Sequence, residues 1–281
     1  MYLFSRIILF IIFFITFYVN PTYAQNLIKN PSFENLSSLP NSVGQVNKAK
    51  KWEHAVTSPD LFHQVSFPTF NSQPHLGGAH TGKAFIGMVV LPITNGIIAE
   101  SIMQNISDNS IVKNRVYTFK VYAKRTIDGG LYANPCSKLE LYGFETLPNN
   151  VPTTGTHISD IENSVLLWSS NQKVSSIEWS LFGGCFMAPE NINHIVITQA
   201  KSTNCEAYIF IDDVSITLAD TTGAIKLDTA ICEGETLELN TNPKYKGWEY
   251  GWNTGLRTEK IAVTDSGTYW VTHYDSNFCE T

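Results

Sequence analysis

The sequence predicts an all-β protein of two β-sandwich modules in series. Three observations carry that reading. Short alternating or β-branched runs recur along the chain, helical periodicity is nearly absent after residue 24, and Gly, Pro and Asn clusters separate the runs. Many strands without intervening helices leave a two-sheet sandwich or a barrel as the architecture. Aromatic residues reach 12% while charged residues reach only 16%, which suits a well-buried fold better than a disordered stalk.

Strands are expected at 83–89, 116–123, 138–144, 164–168, 177–182, 194–198 and 208–217. Alternation is clearest over 117–122 and 209–216, as a strand with one wet face requires. Gly77-Gly78, Gly129-Gly130, Pro148-Asn149-Asn150 and Gly183-Gly184 read as the turns between runs. The small, polar stretch from Ala219 to Gly223 reads as a junction, because the strand pattern restarts at Ile231 and Leu237-Glu238-Leu239. The expected organisation is therefore an export signal over 1–24, a first module over 25–219, a linker over 220–223 and a second module over 224–281.

The N-terminus points to export. Arg6 precedes an almost unbroken apolar run from Ile7 to Val19, Asn20-Pro21 breaks it, and Thr22-Tyr23-Ala24 places small residues where a signal peptidase reads. The run is shorter than the about 18 apolar residues of a transmembrane helix, so no integral span is expected after cleavage, with an uncleaved N-terminal anchor as the alternative. Cleavage between Ala24 and Gln25 removes Arg6 and leaves the mature chain one unit more negative than the −6 of the whole. A secreted or cell-surface location follows. The mild acidity and the lack of any basic stripe argue against nucleic acid as a partner.

Catalysis finds little support, since G-x-S-x-G, P-loop and G-x-G-x-x-G patterns are all absent. In a regular strand Asp212 and Asp213 point to opposite faces, so they do not form a glycosidase carboxylate pair. His54, His63, His75 and His80 match no zinc-binding spacing and read as surface polar residues. All five cysteines follow the signal, and an oxidising destination permits disulfides. Two of Cys136, Cys185 and Cys205 are expected to pair. Cys136 with Cys205 is the preferred choice, because both precede strands at loop ends.

The first module resembles the galactose-binding-like jelly rolls that serve as carbohydrate-binding modules. The words carrying the resemblance are Asn26 to Glu34 (NLIKNPSFE) at the start and Tyr208 to Ile216 (YIFIDDVSI) at the end. Between them Trp52, Ser58 to Phe62, Ala79 to Lys83, Ile86-Gly87-Met88, Glu100-Ser101-Ile102, Trp179, Phe186 and Ala188-Pro189-Glu190 fall in the order of one subgroup, similar to secreted and surface proteins of the Bacteroidetes. The second module resembles the immunoglobulin-like domains of the same exported proteins, which often precede a type IX secretion sorting domain. Cys232 to Leu237, Gly251 to Gly255 and Asp265 to Val271 carry that likeness. It implies Trp252 as core tryptophan and Tyr269 at a tyrosine corner. The chain departs from that pattern in carrying Val271 two residues after Tyr269 and its second cysteine at Cys279, so a Cys232–Cys279 disulfide is expected to tie the module's start to its last hairpin. Only Glu280 and Thr281 follow Cys279, so the closing strand of such a sandwich is missing and the sequence reads as a fragment.

The jelly-roll resemblance further implies a structural calcium ion joining the first turn to the last strand. Glu34 and Asp212 would supply carboxylates, and Ser32 and Lys83 backbone carbonyls, in keeping with calcium's hard oxygen donors. His80 stands where some relatives carry an acidic ligand. The implied function is non-catalytic binding of a glycan or cell-surface polymer. A sugar needs an aromatic platform edged by polar groups. Loop candidates are Phe62, Phe70, Tyr132 and Tyr142, with Asp60, His63 and Asn134 beside them, while Phe33, Trp52 and Trp179 read as packing residues. The alternatives are a purely structural surface protein, or an accessory module of an enzyme whose catalytic domain lies beyond residue 281.

Overall fold

A computed structural model describes residues 25–65, 78–94, 96–127, 132–147, 155–219, 234–240 and 249–274. The export signal, the linker 220–223, Phe70, His75, Cys232 and Cys279 lie outside the described residues.

Among the described residues, eleven strands between residues 53 and 218 form two antiparallel sheets. One sheet has the order β1(Glu53–Val56), β5(Ser101–Asn105), β10(His194–Gln199), β7(Leu139–Phe144), β8(Val165–Ser169). The other runs β2(Asp60–His63), β3(Ala84–Ile93), β11(Ala207–Leu218), β6(Val116–Arg125), β9(Ser180–Met187), with β4(Gly96–Ala99) added on β3. Along these strands the chain changes sheet seven times, first from β1 to β2 and next from β4 to β5, as a jelly-roll sandwich requires. Inner faces of both sheets meet in one apolar core. Ile86, Met88, Phe119, Val121, Ile209 and Ile211 face Ile102, Leu139, Leu141, Ile195 and Ile197, all fully or almost fully buried. Period-two burial along each strand is what places every second residue there.

The opening segment is sewn to the last strand. The Leu27 amide donates to the Ile216 carbonyl (2.8 Å), the Ile216 amide to Asn26 Oδ1 (3.0 Å), and the Val214 amide to the Pro31 carbonyl (2.9 Å). Phe33 then tucks under Trp52, ring centres 5.2 Å apart, and the Trp52 indole donates to the Asn30 carbonyl. Both rings are buried, as packing residues must be.

Three expectations require correction. β1, β2, β4 and β5 are strands that the sequence pattern hides, because each is only four or five residues long and β1 and β2 flank the Ser58-Pro59 turn. Asp60, Phe62 and His63 are consequently strand residues rather than loop residues. Gly183-Gly184 lies inside β9 rather than between strands. A Cβ on Gly183 would run into the Phe119 carbonyl of β6, and one on Gly184 would come within 2.7 Å of the Trp168 indole nitrogen, so the glycines mark close approach and not a turn. Finally, β11 is irregular between Asp212 and Ser215, with Asp213 at φ 48°. That bulge turns both carboxylates toward the same neighbouring turn, where a regular strand would have separated them.

Residues 237–274 form two further antiparallel pairs, β12(Leu237–Asn240) with β14(Lys260–Val263) and β13(Glu249–Trp252) with β15(Val271–Tyr274). Trp252 is 3% exposed and packs with Ile261, Val263, Leu237, Leu239, Tyr269 and Val271. Its indole donates to the Thr258 carbonyl (2.8 Å), and the Tyr269 hydroxyl donates to the Asp265 carbonyl four residues upstream (3.0 Å).

Candidate functional site

The outer face of the six-stranded sheet gathers the chemistry. Residues out of phase with the core line it: Asp60 and Phe62 on β2, Phe85, Gly87 and Val89 on β3, Tyr208, Phe210 and Asp212 on β11, and Tyr122 and Lys124 on β6. Phe62 stacks on Phe85 (5.3 Å, 17°), and Phe210 meets both edge-on at 5.7 and 5.6 Å. Gly87 makes room for this. A Cβ there would lie 2.6 Å from Phe62 Cε2 and would strike the Tyr208 hydroxyl.

On the β2–β3–β11 side the aromatics are sealed, with Phe62, Phe85, Tyr208 and Phe210 all buried. Toward β6 and β9 the face opens. Tyr122 and Trp179 are half-buried, Leu181 is exposed, and the His80 ring lies flat on Tyr122 at 3.5 Å and 15°. Trp179 thus departs from a purely packing role. Its indole donates to the Gly78 carbonyl (3.0 Å), and Lys124 Nζ sits 4.4 Å from its ring centre, with Phe85 and Phe210 also near. Burial pulls the Lys124 ammonium down to about 8, opposed by the charges of Glu178 and Asp212. An ammonium held over an indole face in a partly desolvated site is a strong cation–π arrangement.

The turn carrying His80 rests on three carboxylates. Asp212 Oδ2 accepts from the His80 (2.9 Å) and Thr81 (3.1 Å) amides, and its Oδ1 from the Asp213 amide (2.7 Å). Glu34 Oε1 accepts from the Lys83 (2.7 Å) and Ala84 (2.6 Å) amides. Asp213 takes the His80 ring nitrogen Nδ1 at 2.5 Å and the Thr81 hydroxyl at 2.7 Å. Burial pushes the Asp212 carboxyl up to about 7, with Asp213 adding to the rise and the amides resisting it.

Of the expected calcium donors, Glu34 and Asp212 therefore converge on one turn from opposite ends of the module. Their recorded bonds go to amides, and the Lys83 carbonyl accepts from the Gln64 amide (2.9 Å). Oxygens for a cation remain on Glu34 Oε2 and on the second lone pair of Asp212 Oδ1. Among the described residues no group of three His, Cys, Asp or Glu side chains is placed to hold a metal ion.

The expected ligand residues divide. Asp60 and Phe62 are 4% and 2% exposed, too deep for a solvent-facing platform, because β2 is a strand of the sheet and the other rings cover it. Tyr132 is half-buried against the same cluster and accepts the Tyr208 amide on its carbonyl, His63 is half-buried, and Asn134 is exposed. Tyr142 belongs to the other sheet, buried beside His157 and bonded to Glu140. The sequence pattern alone does not bring His80, Tyr122 and Lys124 together as a group. The signal was available in part: Tyr122 and Lys124 occupy the out-of-phase positions of β6.

Cys136 and Cys205 are joined in a disulfide (Cα–Cα 5.6 Å). Cys185 is also disulfide-bonded. Its partner is neither of those two, and the chain's other cysteines, Cys232 and Cys279, which were expected to pair with each other, lie outside the described residues.

No protein-family profile matches the chain, and no curated protein matches it. Solved structures similar to it include the family 22 xylan-binding domain from Paenibacillus barcinonensis Xyn10C, at 15% identity and TM-score 0.39, covering 69% of this chain and 95% of that one. The family 61 module TmCBM61, solved with β-1,4-galactotriose, is 14% identical at TM-score 0.33 and covers 69% and 99%. A Clostridium thermocellum xylanase 10B fragment with xylohexaose, comprising a family 22 module and a family 10 catalytic module, is 14% identical at TM-score 0.37; the alignment spans 67% of this chain and 28% of that one. No helix among the described residues is long and apolar enough to cross a membrane.

Proposed function

We propose that this is an exported, non-catalytic binding protein whose jelly roll takes a glycan on the open, β6–β9 side of the six-stranded sheet. The observation that carries the reading is the half-buried pair Tyr122 and Trp179, each left with one ring face for a ligand beside the His80 stacked on Tyr122, the Lys124 over Trp179 and the Asp213 bonded to His80. A pyranose offers C–H bonds to such rings and hydroxyls to the polar groups at their rim. The apolar run 7–19 and the Ala24–Gln25 cleavage pattern support export, and the Trp252 core with the Tyr269 hydrogen bond supports an immunoglobulin-like spacer after the jelly roll.

Retention of the purified protein in polysaccharide-containing gels tests the binding role. Wild type should be retarded by at least one polysaccharide of a broad panel, and Trp179→Ala should migrate freely with its fold intact. Failure of wild type to bind any member favours the second reading, a purely structural surface protein, to which the sealing of Phe62, Phe85 and Phe210 already lends weight. Calcium at Glu34 and Asp212 is a separate proposal, supported by their convergence on the 80–84 turn. It predicts a higher melting temperature in calcium than in chelator, and equal values remove it.

A further inference from the structure

The corner where the chain crosses twice between the sheets holds an acid cluster that glycan binding does not use. Asp60 begins β2 just after the first crossing, and Glu100 is the single residue between β4 and β5 at the second. They are 4% and 8% exposed, and neither meets a cationic side chain among the described residues. Asp60 accepts the Gly44 amide at 2.5 Å and the Tyr208 hydroxyl. Glu100 accepts the Val89 amide at 2.9 Å and the Ser58 amide. Beside them Thr57, a β-branched residue, is held at φ 57° with its hydroxyl buried and unpartnered. A strained residue of that kind persists only where its surroundings over-determine it.

We propose that Asp60, Tyr208 and Glu100 form a proton-linked fastening that closes this corner of the sandwich when a proton is held among them and loosens it when the proton leaves. Two carboxylates in one desolvated site repel each other, and a proton on one of them relieves the repulsion without a counter-ion. Among the described residues the ionisable groups acting on Glu100 are Asp60 from β2 and, facing both, Tyr208 from β11; β3 brings the Val89 amide to its carboxylate, and the Thr198 hydroxyl of β10 bonds its backbone carbonyl. Burial first, and the Asp60 charge second, push Glu100 up to about 8, and burial raises Asp60 as well. The folded state therefore holds a proton that the unfolded chain releases near its ordinary value of 4.5. Stability from this source is complete below about pH 4.5 and is lost as pH climbs through about 8.

Denaturant midpoints of the purified protein, measured from pH 5 to pH 9, test the proposal. Wild type should weaken over this range. Glu100→Gln, which keeps the shape of the protonated acid, should match wild type at pH 5 and exceed it at pH 9. Asp212 and Lys124 titrate in both proteins, so the difference between the two curves isolates the corner. Parallel curves overturn the proposal. Should Glu100→Gln fail to fold, infrared difference spectra of wild type and of Asp212→Asn decide instead. A protonated-carboxyl band that is present at pH 7 and vanishes by pH 9 both in wild type and in Asp212→Asn, which removes the other carboxyl raised to about 7, supports the fastening, and its absence at pH 7 from Asp212→Asn refutes it.

Discussion

Removing the Cys136–Cys205 bridge should cost the jelly roll most of a small domain's margin of stability. The bond ties the segment before β7 to the segment before β11, across a sequence separation of 69 residues. Chain-entropy reasoning for a loop of that size gives about 15 cal/mol/K, or about 4 kcal/mol at 25 °C, a factor of about 1,000 in the folding equilibrium. The native state has little to lose in compensation. Cys205 is 2% exposed among Val90, Ile97, Ala99 and Ala207, so alanine fits there without burying a new polar atom. The Ala133–Ala207 bridge and the Tyr208 amide bond to the Tyr132 carbonyl would still register the two segments. Urea titration of the Cys136→Ala/Cys205→Ala double variant against wild type, both non-reduced, is the assay. A loss of about 3–5 kcal/mol is expected, with the slope altered because the unfolded variant is less compact. A loss below about 1 kcal/mol would refute the entropic argument.

Three other perturbations probe the outer sheet face and the second unit. Gly87→Ala drives a methyl group into Phe62 and the Tyr208 hydroxyl at mid-strand, so it should destabilise by about 1–3 kcal/mol or more, read from the melting temperature. Asp212→Ala strips the acceptor from the His80, Thr81 and Asp213 amides. In chelator it should lose at least about 3 kcal/mol and raise amide exchange across 80–84 specifically. Tyr269→Phe removes one hydrogen bond, to the Asp265 carbonyl; unfolding of the 234–274 region should shift by about 1 kcal/mol while the jelly roll is unchanged.

The sequence exposed the long strands because their alternation is strong. The phase of Ile209 and Ile211 against Tyr208, Phe210 and Asp212 placed a carboxylate beside aromatic rings, and the carboxylate does find partners there, three backbone amides. What escaped was set by tertiary geometry. Four-residue β1 and β2 have no room for a period to show, and Gly183-Gly184 are glycines because Phe119 and Trp168 press on them from other strands. The bulge after Asp212 reversed the expected facing of Asp213 through one backbone torsion, which no side-chain pattern encodes. The same limit hid the candidate site. His80 reaches Tyr122 only because Asp212 and Asp213 hold its turn in place across more than a hundred residues of sequence.

The position of β11 decides when this molecule can become whole. It is the middle strand of the six-stranded sheet, bonded to β3 on one side and β6 on the other, and it also receives the opening segment at Val214 and Ile216. Yet it is the last of the eleven to leave the ribosome. Until Leu218 has been synthesised, β3 and β6 have no neighbour between them and half the core has no lid. Pairings this distant in sequence also form slowly. A nascent jelly roll built on that order stays open until its own last strand has been made, and any truncation short of β11 should yield aggregate and no smaller version of the fold.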